Sequence, residues 1–205
     1  MKPVGAGWRR AALHVARRLC DRRAAAIVEF AIIIPVMMVM MMGMGDMLYQ
    51  LYAKALLNGS IQKSGRDSSI QGGASQATTL DNRVRTAVTQ VAKNATFTVT
   101  RLNYDNFSVI GPEKFDDANA NGVRDPRECF TDVNRNGLWD PDPGVAGQGG
   151  ANDVTAYEIT VTYPRLFPVA RLLGWGANAT ITAQTVLKNQ PYENQTVLTP
   201  QAVCT

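Results

Sequence analysis

Two short segments rich in aspartate, asparagine and glycine carry the clearest chemical pattern in the sequence. They begin at Asp117 and Asp132, and each reads D-x-N-x-N-G-x-x-D-P. In both copies side-chain oxygens stand at positions 1, 3 and 5, a glycine supplies the turn at position 6, and an acid follows at position 9. Calcium prefers oxygen ligands in this alternation, with the backbone carbonyl of position 7 as a further ligand. The segments therefore predict one or two Ca²⁺ ions with a structural role.

In the first segment the expected ligands are Asp117, Asn119, Asn121, the Val123 carbonyl, Asp125 and Glu128. In the second they are Asp132, Asn134, Asn136, the Leu138 carbonyl and Asp140. Glu128 occupies position 12, the bidentate position of an EF-hand loop, whereas the second copy has Pro143 there, so its last ligand is Asp142 or a remote residue. The units resemble the calcium loops of thrombospondin type 3 and dockerin repeats. They lie in an insertion of residues 116–153, and the alternative is a turn-rich surface loop that binds no ion.

The charges are distributed unevenly along the chain. Residues 1–23 hold seven of the 21 Lys and Arg residues and one of the 17 Asp and Glu residues, so fourteen basic and sixteen acidic side chains remain. A nucleic-acid-binding domain spreads basic charge over a folded face, so we expect no nucleic-acid partner. The single histidine, His14, lies in this leader, which removes most histidine-dependent chemistry from the rest of the chain. We expect no enzyme and no small-molecule substrate, with glycosidase chemistry by paired acids as the alternative.

A long apolar segment follows the basic leader. Residues 24–45 contain one charged side chain, Glu29, and as a helix they span about 33 Å, enough for a hydrocarbon core of about 30 Å. The positive-inside rule places residues 1–23 in the cytoplasm and residues 46–205 across the membrane. The alternative is a signal peptide that is cleaved after Gly45. A carboxylate within a membrane helix costs about 2.5–3.5 kcal/mol, which marks Glu29 as functional unless it lies near the interface and reaches water.

Residues 22–31, which read RRAAAIVEFA, and residues 48–53 resemble the N-terminal region of TadE/TadG-like proteins. A short stretch near the C-terminus, residues 188–192, which reads KNQPY, also resembles this family. These are pseudopilin-like components of the Tad (Flp, type IVc) pilus assembly machinery. The resemblance implies cleavage by a prepilin peptidase between Ala24 and Ala25, which makes Glu29 the fifth residue of the mature chain. The family usually has glycine where this chain has Ala24. The resemblance also implies other pilus subunits and the inner-membrane assembly platform as partners.

The implied function is that of a minor pilin or pseudopilin in a Tad-type adhesion pilus. The protein is then inserted in a bacterial inner membrane, with its N-terminus in the cytoplasm and its C-terminal domain in the periplasm or on the pilus. Glu29 of one subunit would neutralise the new N-terminal ammonium of a neighbour, because a paired charge is penalised far less than a lone one. The alternative is a stand-alone, membrane-anchored calcium-binding surface or adhesion module that enters no filament.

The remaining periodicity predicts an α+β fold with a pilin-like architecture. The membrane helix continues to about residue 64, and a small antiparallel sheet packs against it. A second helix follows the loop 71–79, with Thr79 or Asp81 as its N-cap. Residues 166–173 form a short helix or a loop at the bilayer surface. Strands are predicted at residues 96–103, 157–163 and 179–187.

The three cysteines fall on both sides of the predicted membrane segment. Cys20 lies in the cytoplasmic leader, where thiols stay reduced, whereas Cys129 and Cys204 lie in a compartment where disulfides persist. We predict a Cys129–Cys204 bridge that ties the calcium-loop insertion to the C-terminal tail. The alternative is two free thiols.

Overall fold

A computed structural model describes residues 22–70, 76–172, 174–191 and 198–204. The predictions for residues 1–21, including Cys20, lie outside these ranges. The chain divides into two units. The first, which we call the helix unit, contains Met1–Leu48 and Leu166–Ala177, and the second, the sheet unit, contains Tyr49–Arg165 and Asn178–Thr205.

Helix α1 extends over Arg22–Ser68 and contains Pro35. Most of its large apolar side chains from Ile27 to Leu51 are exposed. Within the described residues it is the one helix that is long and apolar enough to cross a membrane, with a mean hydropathy of 2.3 in its most apolar window. A signal sequence near an N-terminus can also be long and apolar enough to meet this description. The predicted apolar helix that continues past residue 45 is therefore present, and its insertion in a membrane and its cleavage stay predictions.

The C-terminal end of α1 lies beyond the predicted residue 64. The Ser68 hydroxyl donates to the Gly65 carbonyl over 2.7 Å, and the Ser69 hydroxyl donates to the Arg66 carbonyl over 2.9 Å. Both carbonyls also accept from the Ser69 N–H, so the serine hydroxyls add side-chain hydrogen bonds to the last backbone bonds of the helix. In the helix unit, a 3-10 turn at Pro168–Arg171 is the short helix predicted within residues 166–173; its contact with a bilayer stays a prediction.

The sheet unit contains two antiparallel sheets. The larger sheet has the order β3-β1-β4-β5 and consists of β1 (Thr96–Tyr104), β3 (Val145–Ala146), β4 (Val154–Pro164) and β5 (Asn178–Lys188). The smaller sheet pairs β2 (Phe130–Asp132) with β6 (Gln201–Val203). Strands β1, β4 and β5 are the three predicted from the sequence, and they pair in continuous register. The predicted α+β class is confirmed.

One hydrophobic core joins the helices to the larger sheet within the sheet unit. Helix α1 contributes Ala53, Leu57 and Ile61, which recur every fourth residue and so lie on one face. Helix α2 (Ala77–Thr89) contributes Val84 and Val88. The sheet contributes Tyr157, Ile159, Val161, Tyr163, Ala179, Ile181 and Ala183. Because strand side chains alternate between faces, the threonines between these residues lie on the opposite, more exposed face.

The predicted N-cap of α2 is wrong. The helix begins at Ala77 with Gln76 as N-cap, and no side chain caps it by a hydrogen bond. Thr79 and Asp81 lie inside the helix instead. The Asp81 carboxylate accepts hydrogen bonds from Arg101 and Tyr157 of the sheet, so a tertiary contact has taken the side chain that the local pattern assigned to a cap.

Candidate functional site

A short antiparallel ladder positions both Asp/Asn/Gly segments. Phe115 and Phe130 form its central pair. The Asp116 N–H donates to the Cys129 carbonyl and the Thr131 N–H donates to the Lys114 carbonyl, each over 2.8 Å. Loop 1, residues 117–128, connects the two strands of the ladder at one end. Loop 2, residues 132–141, begins at the other end of the second strand.

In loop 1 the side chains of positions 1, 3 and 5 turn back onto the backbone. The Asp117 carboxylate accepts from the N–H groups of Asn121 over 3.1 Å and Gly122 over 2.7 Å. The Asn119 side-chain oxygen accepts from the Asn121 N–H, and the Asn121 side-chain oxygen accepts from the Val123 N–H. The amide nitrogens of Asn119 and Asn121 both donate to one oxygen of Asp125, over 2.7 and 2.8 Å. The predicted side chains of positions 1, 3, 5 and 9 are therefore brought together.

Loop 2 repeats this arrangement. Asp132 accepts from the N–H groups of Asn136 and Gly137, and the amide nitrogens of Asn134 and Asn136 donate to one oxygen of Asp140 over 2.8 and 2.6 Å. The Asn134 and Asn136 oxygens accept from the N–H groups two residues on, as in loop 1. The backbones also agree, since φ is 57° and 60° at position 4 and 75° and 78° at the glycine of position 6. The repeat seen in the sequence is thus a repeat in structure.

One buried glutamate, Glu128, ends loop 1, and another, Glu113, contacts loop 2 from a strand that lies before both loops. Both oxygens of Glu128 accept backbone hydrogen bonds from loop 1, from Ala118 over 3.0 Å and from Asp125 over 2.9 Å. Both oxygens of Glu113 accept from loop 2, from Val133 over 2.7 Å and from Asp140 over 3.0 Å. Sequence reasoning missed Glu113, because it lies upstream of its loop, where the spacing of a calcium loop gives no reason to look.

Asp142, one of the two options for the last ligand of loop 2, lies against other groups. Its carboxylate accepts from the Tyr104 hydroxyl over 2.8 Å and from the Gly144 N–H over 3.1 Å. Burial, followed by the hydrogen bond to Asp142 and its negative charge, raises the pKa of Tyr104 to about 12. The structure thus places Asp142 at the end of β1, beside the loop, in a bond that favours the neutral phenol.

The donor set of each loop fits a hard cation in kind. Every candidate side chain supplies oxygen, and an oxygen that accepts one N–H retains a second lone pair. One oxygen each of Asp125, Asp132 and Asp140 accepts two N–H groups, which leaves the other oxygen of each carboxylate for a cation. Among the described residues, no three His, Cys, Asp or Glu side chains come together as a metal-binding group. In each loop two asparagines lie beside the acids, and their amide nitrogens donate to the acid of position 9.

A disulfide joins Cys129 to Cys204, which are 75 residues apart. This is the predicted bridge. Cys129 directly follows Glu128, and strand β2 directly follows Cys129, so the bridge lies between the end of loop 1 and the start of loop 2. Strand β6 pairs with β2 beside it, and the Arg135 side chain of loop 2 donates to the Thr199 carbonyl over 2.9 Å. The C-terminal segment therefore holds both loops.

Ala24, Ala25 and Glu29 lie near the beginning of α1. The Glu29 side chain is exposed. These residues are far along the chain from the loops, and their role in cleavage and assembly stays a prediction.

Comparison with known protein families matches residues 24–66 to the family described as TadE-like protein. The match covers the apolar segment of α1 and its continuation, and it leaves the sheet unit's strands and loops unmatched. No curated protein and no solved structure matches the chain. The resemblance seen at residues 22–31 and 48–53 is therefore confirmed, whereas the match does not extend to residues 188–192. The match supports an association with the Tad pilus. Over residues 24–66 the chain is similar to the TadE-like proteins.

Proposed function

We propose that the chain is a minor pilin or pseudopilin-like protein that acts in the assembly of a Tad-type adhesion pilus. The observation that carries this proposal is the TadE-like match over residues 24–66, which coincides with a helix whose apolar side chains are exposed. Exposed apolar surface on this scale requires lipid or protein around it. The helix anchors the protein in the bacterial inner membrane, and the sheet unit lies in the periplasm or on the pilus.

The partners in this proposal are a prepilin peptidase, other pilus subunits and the inner-membrane assembly platform. The peptidase cuts between Ala24 and Ala25, and Glu29 then pairs with the new N-terminal ammonium of a neighbouring subunit. Work of this kind is structural, so the protein acts on no small-molecule substrate and catalyses no reaction.

The test is the intact mass and N-terminal sequence of the protein purified from its own membranes. We expect a mature chain that begins Ala25-Ala26-Ile27. An Ala24→Gly variant is the matched control, because it restores the residue usual in the family and should be cut at least as completely. A chain that begins at Asp46 would identify a cleaved signal peptide and a secreted domain, and it would contradict the pilin proposal.

Loops 1 and 2 bind Ca²⁺ in this proposal, with the ligands expected from the sequence and a structural role. The support is that residues 116–153 contain few aliphatic side chains yet fold into two loops of the same geometry. We expect calcium to raise the melting temperature of the full chain in detergent micelles, since an ion at 100 times its Kd stabilises the native state by about 2.7 kcal/mol. The control is the same protein in excess chelator. If calcium causes no thermal shift and calorimetry detects no heat of binding, the proposal that these loops bind calcium is wrong.

A second candidate is a stand-alone membrane-anchored calcium-binding module for surface adhesion. Ala24 favours it, because the family usually has glycine at the position before the cut. This alternative would be supported by an uncut N-terminus together with normal localisation of the protein after Glu29 is replaced.

A further inference from the structure

We infer that Glu113 completes loop 2 as Glu128 completes loop 1, so that the second calcium site takes its last acidic residue from the strand that precedes both loops. This inference rests on the proposed calcium binding and names a residue that the loop pattern does not contain.

The hydrogen bonds of the two glutamates are equivalent. One oxygen of each accepts from the N–H of loop position 2, which is Ala118 or Val133. The other oxygen accepts from the N–H of loop position 9, which is Asp125 or Asp140. Each carboxylate therefore bridges the beginning and the end of its loop, and each oxygen keeps a lone pair for a cation.

The ladder explains why the two glutamates stand on opposite sides of their loops in sequence. Its central pair is Phe115 and Phe130. Continuing that antiparallel register places Asp117 across from Glu128 at one end and Asp132 across from Glu113 at the other. Loop 1 connects the two strands, so its glutamate lies downstream, whereas loop 2 leaves the ladder from its far end, so the facing glutamate lies upstream.

Burial and backbone contacts fix Glu113 against loop 2. Glu113 is 3% exposed and Glu128 is 7% exposed, and a buried carboxylate is retained only where hydrogen bonds or a cation compensate for lost water. The Glu113 N–H donates to the Asp140 carbonyl over 3.0 Å, and the Trp139 indole N–H donates to the Glu113 carbonyl over 2.9 Å. Main chain and side chain thus hold the same loop.

Trp139 makes the two loops distinguishable in solution. It occupies position 8 of loop 2, next to Asp140, whereas loop 1 has Arg124 at that position. Terbium, a lanthanide that takes calcium sites, emits when a neighbouring indole transfers energy to it. The experiment titrates Tb³⁺ into the full chain in detergent micelles, excites tryptophan, and counts bound Ca²⁺ separately by calorimetry. A Trp139→Phe variant shows how much of the emission belongs to loop 2.

Glu113→Gln keeps the shape of the side chain and removes its charge. We expect it to weaken the Trp139-dependent terbium signal at least about tenfold, the loss typical of residues that support a metal site, and to leave one calcium ion bound. Glu128→Gln should also remove one ion but retain the terbium signal. Glu158→Gln, on strand β4 outside both loops, is the matched control and should change neither.

Each outcome decides the question. If Glu113→Gln binds Tb³⁺ at loop 2 as the wild type does, the assignment of Glu113 is wrong while calcium binding stands. If the wild type binds neither ion, the calcium proposal fails and the assignment fails with it. If Glu113→Gln loses both sites through misfolding, Glu113→Asp replaces it; a shortened carboxylate that leaves loop 2 unaffected would equally overturn the assignment.

Discussion

The Asp81 carboxylate connects helix α2 to the sheet through three hydrogen bonds. Arg101 donates two of them, over 2.9 and 2.5 Å, and the Tyr157 hydroxyl donates the third over 2.5 Å. The Arg101 and Asp81 side chains are 10% and 16% exposed, and the guanidinium lies 4.1 Å from the Tyr157 ring centre. A fork-shaped pair that is shielded from water in this way is stronger than an exposed one.

Replacement of Asp81 by Ala should destabilise the sheet unit by about 3 kcal/mol, because it leaves a buried guanidinium and a buried hydroxyl without their acceptor. The control is Asp67→Ala, which breaks an exposed 3.8 Å pair with Arg83 and should cost less than about 1 kcal/mol. Thermal unfolding of the full chain in micelles compares the two. Equal losses of stability in the two variants would mean that the hydrogen bonds of Asp81 stabilise the protein no more than an exposed ion pair does.

Tyr157 makes the stability contributed by the Asp81, Arg101 and Tyr157 cluster depend on pH. Burial, followed by the Asp81 hydrogen bond and charge, raises the pKa of this phenol above its ordinary value, against the opposing effect of Arg101 and Arg85. Between the unfolded pKa of about 10 and the higher folded pKa, the unfolded chain has lost a proton that the native state retains. Stability is therefore undiminished below about pH 10 and falls as pH rises through this window. Tyr157→Phe should flatten that alkaline fall; an unchanged slope in melting temperature against pH would contradict it.

At the scale of elements, alanine substitutions at two glycines of α1 distinguish the effect of helix propensity on stability from the effect of packing against β5. A Cβ at Gly65 would stand 2.5 Å from Leu187 and 2.9 Å from Thr185 on strand β5, whereas a Cβ at Gly59 would meet nothing within 4 Å. Gly59→Ala should stabilise the protein by about 0.5–1 kcal/mol through helix propensity. Gly65→Ala should fall about 1–3 kcal/mol below that variant, which is the cost of overpacking. Equal melting temperatures for the two variants would contradict this prediction, because they would mean that the β5 side chains move aside without cost.

The elements that the sequence predicted are those with a long periodic pattern. Strands β1, β4 and β5 alternate over nine to eleven residues, and α1 combines an apolar run with residues that recur every fourth position. Strands β2, β3 and β6 have two or three residues, too few for periodicity, and they form where pairing and a disulfide bring distant segments together. Glu113 was missed for the same reason, since only the ladder places it beside loop 2.

Removal of the disulfide tests whether the pairing of the short strands β2 and β6 depends on the bridge. Cys204→Ser should release β6 from β2 and destabilise the sheet unit by about 2–5 kcal/mol, because the bridge closes a long segment of chain. Hydrogen exchange should accelerate at the Phe130–Asp132 amides, and loop 2 should lose affinity for calcium because Asp132 ends that strand. Thr131→Ser, a conservative change at the exposed position of β2, is the control and should behave as wild type. Unchanged exchange in Cys204→Ser would mean that β6 is held without the bridge.

At the scale of the whole molecule, one charged residue stands within an apolar segment that otherwise suits lipid. Ile27, Val28 and Phe30 around Glu29 are 60–70% exposed, and Glu29 is the one charged residue in the sequence of residues 24–45. In a membrane, no opposite charge in this segment would offset the cost of the carboxylate, about 2.5–3.5 kcal/mol. A residue that makes insertion less favourable persists when it serves something other than insertion. Under the proposed function, pairing with the N-terminus of a neighbouring subunit would supply that purpose.

Glu29→Gln separates insertion from assembly. Because the amide is cheaper to bury than the carboxylate, the variant should enter the membrane at least as well as the wild type. It should nevertheless lose most of its crosslinking to neighbouring pilus subunits, since the ammonium at the cut end of one chain then lacks its counter-ion. Glu29→Asp, which keeps the charge on a shorter side chain, should retain part of the crosslinking. A Glu29→Gln protein that is inserted, cut and crosslinked as the wild type is would assign the carboxylate to the interface, where it reaches water and serves no partner.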